Sequence, residues 1–103
     1  MTFKYIAHCK KWHDKINGNT YFSIKITDVK NGKVLKIPFT YGYGEQYKST
    51  TLNELYKKFN QSNDISWSTF NLYHNFIYWI DEQDCRMRDV KNWGRLEKHH
   101  NPM

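Results

Sequence analysis

Alternation between apolar and polar residues runs through most of the first 41 positions and constrains the fold more than any other feature. It covers residues 3–10, 20–29 and 33–41, which are rich in aromatic and β-branched side chains. A period of two with this composition is typical of β-strands that bury one face. Asn31-Gly32 separates the second and third runs, and this pair tolerates the positive φ angles of a type I′ hairpin turn. The pattern therefore predicts a three-stranded antiparallel sheet.

The same alternation divides the predicted sheet into two faces. The apolar inner face is predicted to contain Phe3, Tyr5, Ala7, Phe22, Ile24, Ile26, Leu35, Ile37 and Phe39. The polar outer face is predicted to present Lys4, His8, Lys10, Tyr21, Lys25 and Lys36 to solvent. Because Pro38 has no backbone N–H to donate, the third strand is expected to lie at a sheet edge or to contain a bulge there.

A capping signal predicts a helix after the sheet. In Thr51-Leu52-Asn53-Glu54, the threonine hydroxyl can accept from the third helical amide while the glutamate reaches back to the cap. This predicts a short helix over residues 51–60 that packs on the inner face of the sheet. Its apolar positions are Leu52, Leu55, Tyr56 and Phe59.

Two further elements are predicted in the last third of the chain. Residues 67–80 fit either a strand or a helix, and their density of aromatic rings favours a strand over 70–80. Apolar residues recur with helical spacing at 87, 90 and 93, which predicts a C-terminal helix over about 84–98. The whole sequence thus predicts one α+β domain over residues 1–103, in which the antiparallel sheet, the capped helix, a fourth strand and the C-terminal helix follow in order.

The positive charge is confined to one half of the chain. The formal net charge is +6, and the first fifty residues contain nine lysines against three acidic residues. In the second half the acidic and basic residues balance. This asymmetry indicates an anionic partner, although a lysine-rich face that only keeps the sheet soluble would have the same composition.

Lysines and aromatic rings are interleaved in this basic half. Such a surface can pair cations with phosphates and stack rings on bases, so it is typical of proteins that bind single-stranded nucleic acid. All three arginines lie in the other half, so little base-specific readout and a strong dependence on salt are expected. The predicted binding residues are Lys4, Lys10, Lys11, Trp12, Lys15, Tyr21, Lys25, Lys36, Tyr43 and Tyr47.

Two kinds of chemical site are alternatives to a binding surface. His8, Lys11, His13 and Asp14 supply the acid, base and cation that phosphodiester cleavage requires, which makes a small histidine-dependent nuclease an alternative. Zinc would need four donors, and Cys9 and His13 have no second short-spaced pair. The other candidate zinc donors are His74, Cys85, His99 and His100. We therefore predict no metal, no cofactor and no enzymatic activity, with Cys9 a buried thiol.

The sequence also indicates where the protein acts. No run of about 18 uncharged apolar residues is present, so no membrane association is expected. The first residues lack the long apolar stretch of an export signal. Cys9 and Cys85 are far apart and do not form a disulfide framework, which favours a reducing cytoplasm.

Several segments resemble a family of small phage and mobile-element proteins. The resemblance is carried by Tyr5-Ile6-Ala7, Asn17-Gly18-Asn19-Thr20-Tyr21 and Pro38-Phe39-Thr40-Tyr41-Gly42-Tyr43-Gly44. The family has no established activity, so the resemblance implies no role for any residue. It implies an accessory protein that acts in the cytoplasm of a host cell. Together with the charge it leads to the hypothesis of an inhibitor that binds a host nucleoprotein, for example a defence effector such as a CRISPR complex.

Overall fold

Four strands and two helices follow one another in the residues described by the computed structural model, which are 3–42, 44–60 and 75–95. The strands are β1 (Tyr5–Asp14), β2 (Asn19–Asp28), β3 (Val34–Tyr41) and β4 (Ile77–Glu82). Helix α1 (Gln46–Asn60) lies between β3 and β4, and helix α2 (Met87–Trp93) follows β4. The predicted α+β fold is confirmed.

The sheet is mixed, with strand order β3-β2-β1-β4. Two antiparallel hairpins join β1 to β2 and β2 to β3, as predicted. The predicted type I′ turn is wrong, because Gly32 has a positive φ (74°) and Asn31 does not. β4 pairs with β1 in parallel, from Tyr5 opposite Ile77 to Lys10 opposite Glu82. A parallel neighbour requires a long crossover connection, and here α1 is part of it. The predicted strand over 70–80 is therefore confirmed at 77–80 and wrong at 75–76, which form a 3₁₀ turn, while positions 67–74 lie outside the described residues.

The hydrophobic core lies between the inner face of the sheet and α1. Leu52 and Leu55 of α1 are buried there, as predicted, and Tyr47 joins them. The sheet contributes the buried residues Ala7, Cys9, Phe22, Ile24, Ile26, Ile37 and Ile77. The predicted inner face is thus confirmed along most of β1, β2 and the first half of β3. Phe3, which precedes β1, is an exception, since it is 38% exposed and its ring lies 5.3 Å from that of Tyr78.

A bulge in β3 overturns one assignment to the inner face. β3 lies at the sheet edge, and its register against β2 shifts between Ile37 and Thr40, around Pro38, as the proline predicts. An extra residue on one strand reverses the alternation beyond it. The prediction that Phe39 faces the core is therefore wrong, because its ring stacks on that of Tyr21 on the outer face.

The first helix begins earlier than the capping signal predicts. α1 starts at Gln46, so Thr51 lies in its second turn and cannot be an N-cap. The Thr51 side chain is buried, and its hydroxyl donates to the carbonyl oxygen of Tyr47 at 2.8 Å. The predicted contact of Phe59 with the core concerns a side chain outside the described residues.

The second helix is shorter than predicted and packs on the outer face. Asp84 has a left-handed backbone (φ 58°), so the chain still turns at the first residue of the predicted helix. α2 runs only from Met87 to Trp93, and the buried Gly94 follows it. Within the described residues the predicted helix over 84–98 is therefore wrong at both ends. Its apolar contact, Val90, is fully buried against the sheet, and Ser23 of β2 donates a hydrogen bond to the Val90 carbonyl.

Candidate functional site

Four aromatic side chains meet on the outer face at the end of the sheet near the β1–β2 hairpin. The rings of Tyr21 and Phe39 stack with centroids 4.8 Å apart and planes 10° apart. Trp12 stacks on Tyr21 at 5.6 Å, and Tyr41 meets Tyr21 edge-on at 5.7 Å. We call Trp12, Tyr21, Phe39 and Tyr41 the ring cluster. It gathers one ring from β1, one from β2 and two from β3.

The ring cluster is accessible and lies next to a cation. Tyr41 is 52% exposed, and the other three side chains are half-buried. The ammonium group of Lys91 in α2 lies 5.3 Å from the centre of the Phe39 ring. Rings held in parallel with a cation beside them can stack on bases and pair with a phosphate. Of the predicted binding residues, Trp12 and Tyr21 belong to this cluster.

Phe39, Tyr41 and Lys91 are members of the site that sequence reasoning missed. The signal that could have revealed Phe39 was Pro38. A bulge was expected at Pro38, and a bulge reverses the side of the sheet that the following residues face. Applied to position 39, this reversal predicts that the Phe39 ring lies beside Tyr21 on the outer face. Lys91 depends on how α2 packs across the sheet, which no local pattern indicates.

Three of the predicted binding lysines share the outer face with the ring cluster but lie against the α2 segment. Lys25 and Lys10 place their ammonium groups 3.9 Å and 4.5 Å from the centre of the Trp93 ring. Lys36 donates to the carbonyl oxygen of Arg95 at 3.3 Å. We call Lys10, Lys25 and Lys36 the lysine strip. The expectation of an open, solvent-exposed lysine face is wrong here, because α2 lies across it.

Glu82 of β4 lies beside Lys10, one of the three lysines of the lysine strip. His8 Nε2 donates to Glu82 Oε1 at 2.8 Å, and the Lys10 ammonium lies 3.8 Å from the same oxygen. The hydrogen bond from His8, with the positive charge of Lys10, holds the pKa of the Glu82 carboxyl below its usual range. Trp93 packs on His8, with its ring 4.7 Å from that of His8 and its Nε1 donating to the His8 carbonyl oxygen.

Two predicted binding residues face the opposite side of the sheet. Lys11 is only 4% exposed, and its Nζ donates to the Gly44 carbonyl at 2.8 Å and to Asp81 Oδ2 at 3.0 Å. Tyr47 is 2% exposed, and its ring lies 4.8 Å from the Lys11 ammonium. Burial raises the pKa of the Tyr47 phenol. The assignment of Lys11 and Tyr47 to the basic binding surface is therefore wrong, because both belong to the inner, helix-covered side.

The remaining predicted binding residues are scattered. Lys15 is exposed in the turn between β1 and β2. Lys4 precedes β1, and its ammonium lies 6.0 Å from the centre of the Phe76 ring. Tyr43 lies outside the described residues.

The four residues of the alternative nuclease centre do not converge. His8 pairs with Glu82 on the outer face, whereas Lys11 pairs with Asp81 on the inner side. His13 shares a hydrogen bond with Thr20, and Asp14 accepts bonds from the turn that follows it. The side-chain bond from Asn17 to Asp14 lowers the pKa of that carboxyl. Among the described residues, no group of three or more histidine, cysteine or acidic side chains is arranged to hold a metal ion.

Both thiols are expected to react slowly with alkylating reagents in the native protein. Cys9 is fully buried, and this burial raises the pKa of its thiol to about 12. Desolvation also raises the pKa of Cys85, which is partly exposed. Since the thiolate is the nucleophile, iodoacetamide at neutral pH should modify Cys85 slowly and Cys9 only after unfolding. Mass spectrometry with and without denaturant measures this, and rapid native labelling of Cys9 would contradict the buried position.

Comparisons with protein-family models, curated proteins and solved structures found no match for the chain. No described helix has both the length and the apolar character needed to cross a membrane. The case for a function therefore depends on the geometry of the outer face.

Proposed function

We propose that this protein is a non-enzymatic binder of single-stranded nucleic acid that stacks bases on the ring cluster. The observation that carries the proposal is the convergence of Trp12, Tyr21, Phe39 and Tyr41 on one open end of the sheet. A soluble β-sheet gains more from burying such rings than from leaving them at its surface. Accessible stacked rings on a sheet face are a common feature of proteins that bind unpaired bases.

The charges beside the ring cluster fit a polyanion with little sequence preference. Lys91 lies over Phe39, and Lys15 is exposed in the β1–β2 turn. Lysine is a point charge that pairs with phosphate without reading a base edge, whereas bidentate readout requires arginine-like geometry. Binding is therefore expected to depend strongly on salt and weakly on sequence.

Replacing rings of the cluster should weaken binding of an oligonucleotide. Stacking on one aromatic side chain contributes about 1–3 kcal/mol per base, so Trp12→Leu and Tyr21→Leu should each raise the Kd about tenfold. Leucine keeps apolar bulk on the strand while removing the planar ring. Fluorescence anisotropy with a labelled oligothymidine of about 15 nucleotides, a length near the usual site size, measures the effect.

Tyr78→Leu is the matched control. Tyr78 is 50% exposed on β4, opposite Ile6 and away from the ring cluster. Its replacement should leave the Kd unchanged. Equal losses for the cluster variants and for Tyr78→Leu, or wild-type protein that binds no oligonucleotide at any salt concentration, would contradict the proposal. Circular dichroism confirms that each variant is folded.

A second candidate is docking to a nucleoprotein of a host cell, as the inhibitor of a defence effector such as a CRISPR complex. One observation favours it. Lys10 and Lys25 are covered by Trp93, so the part of the outer face that remains open is the aromatic ring cluster. Exposed aromatic residues are enriched in protein–protein interfaces. A pull-down from host lysate distinguishes the candidates, since capture that survives nuclease treatment and is lost in Trp12→Leu indicates a protein partner.

A further inference from the structure

We propose that α2 is a displaceable cover over the lysine strip, which extends the nucleic-acid site beyond the ring cluster. In this arrangement a bound nucleic acid displaces α2, which takes Lys91 away from Phe39, and its phosphates contact Lys10, Lys25 and Lys36 instead. The inference rests on the proposed function and adds both a second part of the site and a means of regulating it.

The surface beneath α2 is polar, unlike the surface beneath α1. α1 packs on the hydrophobic core, whereas α2 lies on the opposite face against Ser23, His8 and the lysine strip. Of the described residues in α2, only Val90 is buried. Release of α2 would expose Val90 and the half-buried Trp93 ring, whereas release of α1 would expose the buried residues Tyr47, Leu52 and Leu55, so detaching α2 costs less.

The charges of α2 and of the strip have the same sign. The segment from 86 to 95 contains four basic residues and one acidic residue, and it lies over three lysines. Like charges held close together repel one another, and a polyanion placed between them would remove this repulsion. In the closed position the contacts of Lys10 and Lys25 with the Trp93 ring offset this repulsion, whereas a bound polyanion would neutralise the charges on both sides.

Trp93 occupies the position that a nucleic acid would need. Its ring is contacted by Lys25 and Lys10, and His8 meets it edge-on. Contact with an indole face and contact with a phosphate compete for the same ammonium groups. The closed position of α2 and a nucleic acid bound to the lysine strip therefore exclude one another.

The strip and the ring cluster are continuous along the strands. Trp12, Lys10 and His8 lie at alternate positions of β1, and Tyr21, Ser23 and Lys25 lie opposite them in β2. Alternate residues of a β-strand point to one face and are about 6.6–6.8 Å apart, so the ring cluster and the lysine strip are adjacent on the outer face. A nucleic acid that stacks on Trp12 and Tyr21 and continues along the sheet therefore reaches Lys10 in β1 and then Lys25 in β2, beyond Ser23.

Hydrogen exchange on the wild-type protein tests the cover. Adding saturating oligothymidine should reduce the protection of the α2 amides (residues 87–93), while the amides of β1 and β2 keep or gain protection. If α2 is a fixed part of the fold, its amides gain protection or remain unchanged, and this result would overturn the inference.

A variant that loosens the cover without touching rings or lysines gives a second test. Ser23→Ala removes the hydrogen bond to the Val90 carbonyl. The apparent affinity rises with the fraction of open molecules, so loss of one such bond should tighten binding about fivefold. Thr50→Ala is the control, because it removes a similar hydroxyl bond, to the Gln46 carbonyl in α1, and should leave the Kd unchanged.

The salt dependence identifies the contacts made after opening. Lys36→Gln should lower the magnitude of the slope of log K against log salt by about one, as expected for one lost phosphate contact. Lys30→Gln, in the exposed turn after β2, should leave the slope unchanged.

The outcomes separate this inference from the proposed function. If the ring variants weaken binding while Ser23→Ala also weakens it and α2 gains protection, only the cover is overturned. If neither the wild-type protein nor Ser23→Ala binds oligonucleotide, both the cover and the proposed function are overturned.

Discussion

Replacing Gly94 with valine should detach α2 from the sheet and lower the free energy of unfolding by about 3 kcal/mol, the upper end for overpacking. A Cβ atom at Gly94 would collide with the Ile37 carbonyl oxygen, and it would lie 2.6 Å from Ser23 Cβ and 3.0 Å from Pro38 Cα. Two of these neighbours are backbone atoms of β3, which cannot rotate away. Urea denaturation measures the loss, and hydrogen exchange shows whether residues 87–93 lose protection.

Asn92→Val is the control for Gly94→Val. Asn92 is exposed on α2, so a β-branched side chain there costs only the difference in helix propensity, a few tenths of a kcal/mol. If α2 is a cover, Gly94→Val should also tighten binding of oligothymidine, because the open fraction rises. A Gly94→Val protein as stable as wild type, with protected α2 amides, would contradict the close packing at this position.

Most of the sheet could be predicted because its information is local. Alternation defines the faces of β1 and β2, Asn31-Gly32 marks a turn, and Pro38 marks an edge or bulge. Each signal concerns residues within a few positions of one another. The start of α1 was missed because the Thr51–Glu54 motif has the composition of a capping box but lies inside a helix that begins at Gln46.

The candidate site was less predictable because it depends on contacts between distant segments. Lys11 follows the same alternation as Ala7 and Cys9, so its inward orientation was available from the pattern. The ion pair of Lys11 with Asp81 could not be predicted in this way, because no turn signal in the sequence marks the parallel pairing of β4 with β1. The position of α2 on the outer face likewise rests on Val90 and Trp93, two residues that fit any helix packed on a sheet.

Replacing Lys11 with methionine should lower the free energy of unfolding by about 3 kcal/mol, near the lower limit for breaking a buried ion pair. Methionine keeps the apolar length of the side chain but removes the donors to Gly44 and Asp81. These bonds connect β1 to β4 and to the residues just before α1. The Asp81 side chain is 32% exposed and borders a cleft of about 280 Å³. Water can therefore partly solvate the Asp81 carboxylate once its Lys11 partner is removed. This partial solvation keeps the loss below that of a fully enclosed charge.

Lys15→Met and a double variant make the Lys11 prediction specific. Lys15 is exposed in the β1–β2 turn, so its replacement should change stability by less than about 0.5 kcal/mol. Asp81→Asn in the Lys11→Met background removes the unpaired negative charge and should recover about 1 kcal/mol or more, whereas Asp81→Asn alone should destabilise the wild-type protein. Additive losses in the double variant would mean that Lys11 and Asp81 act independently. The ammonium group would then stabilise the fold only through the Gly44 carbonyl and the Tyr47 ring, without the bond to β4.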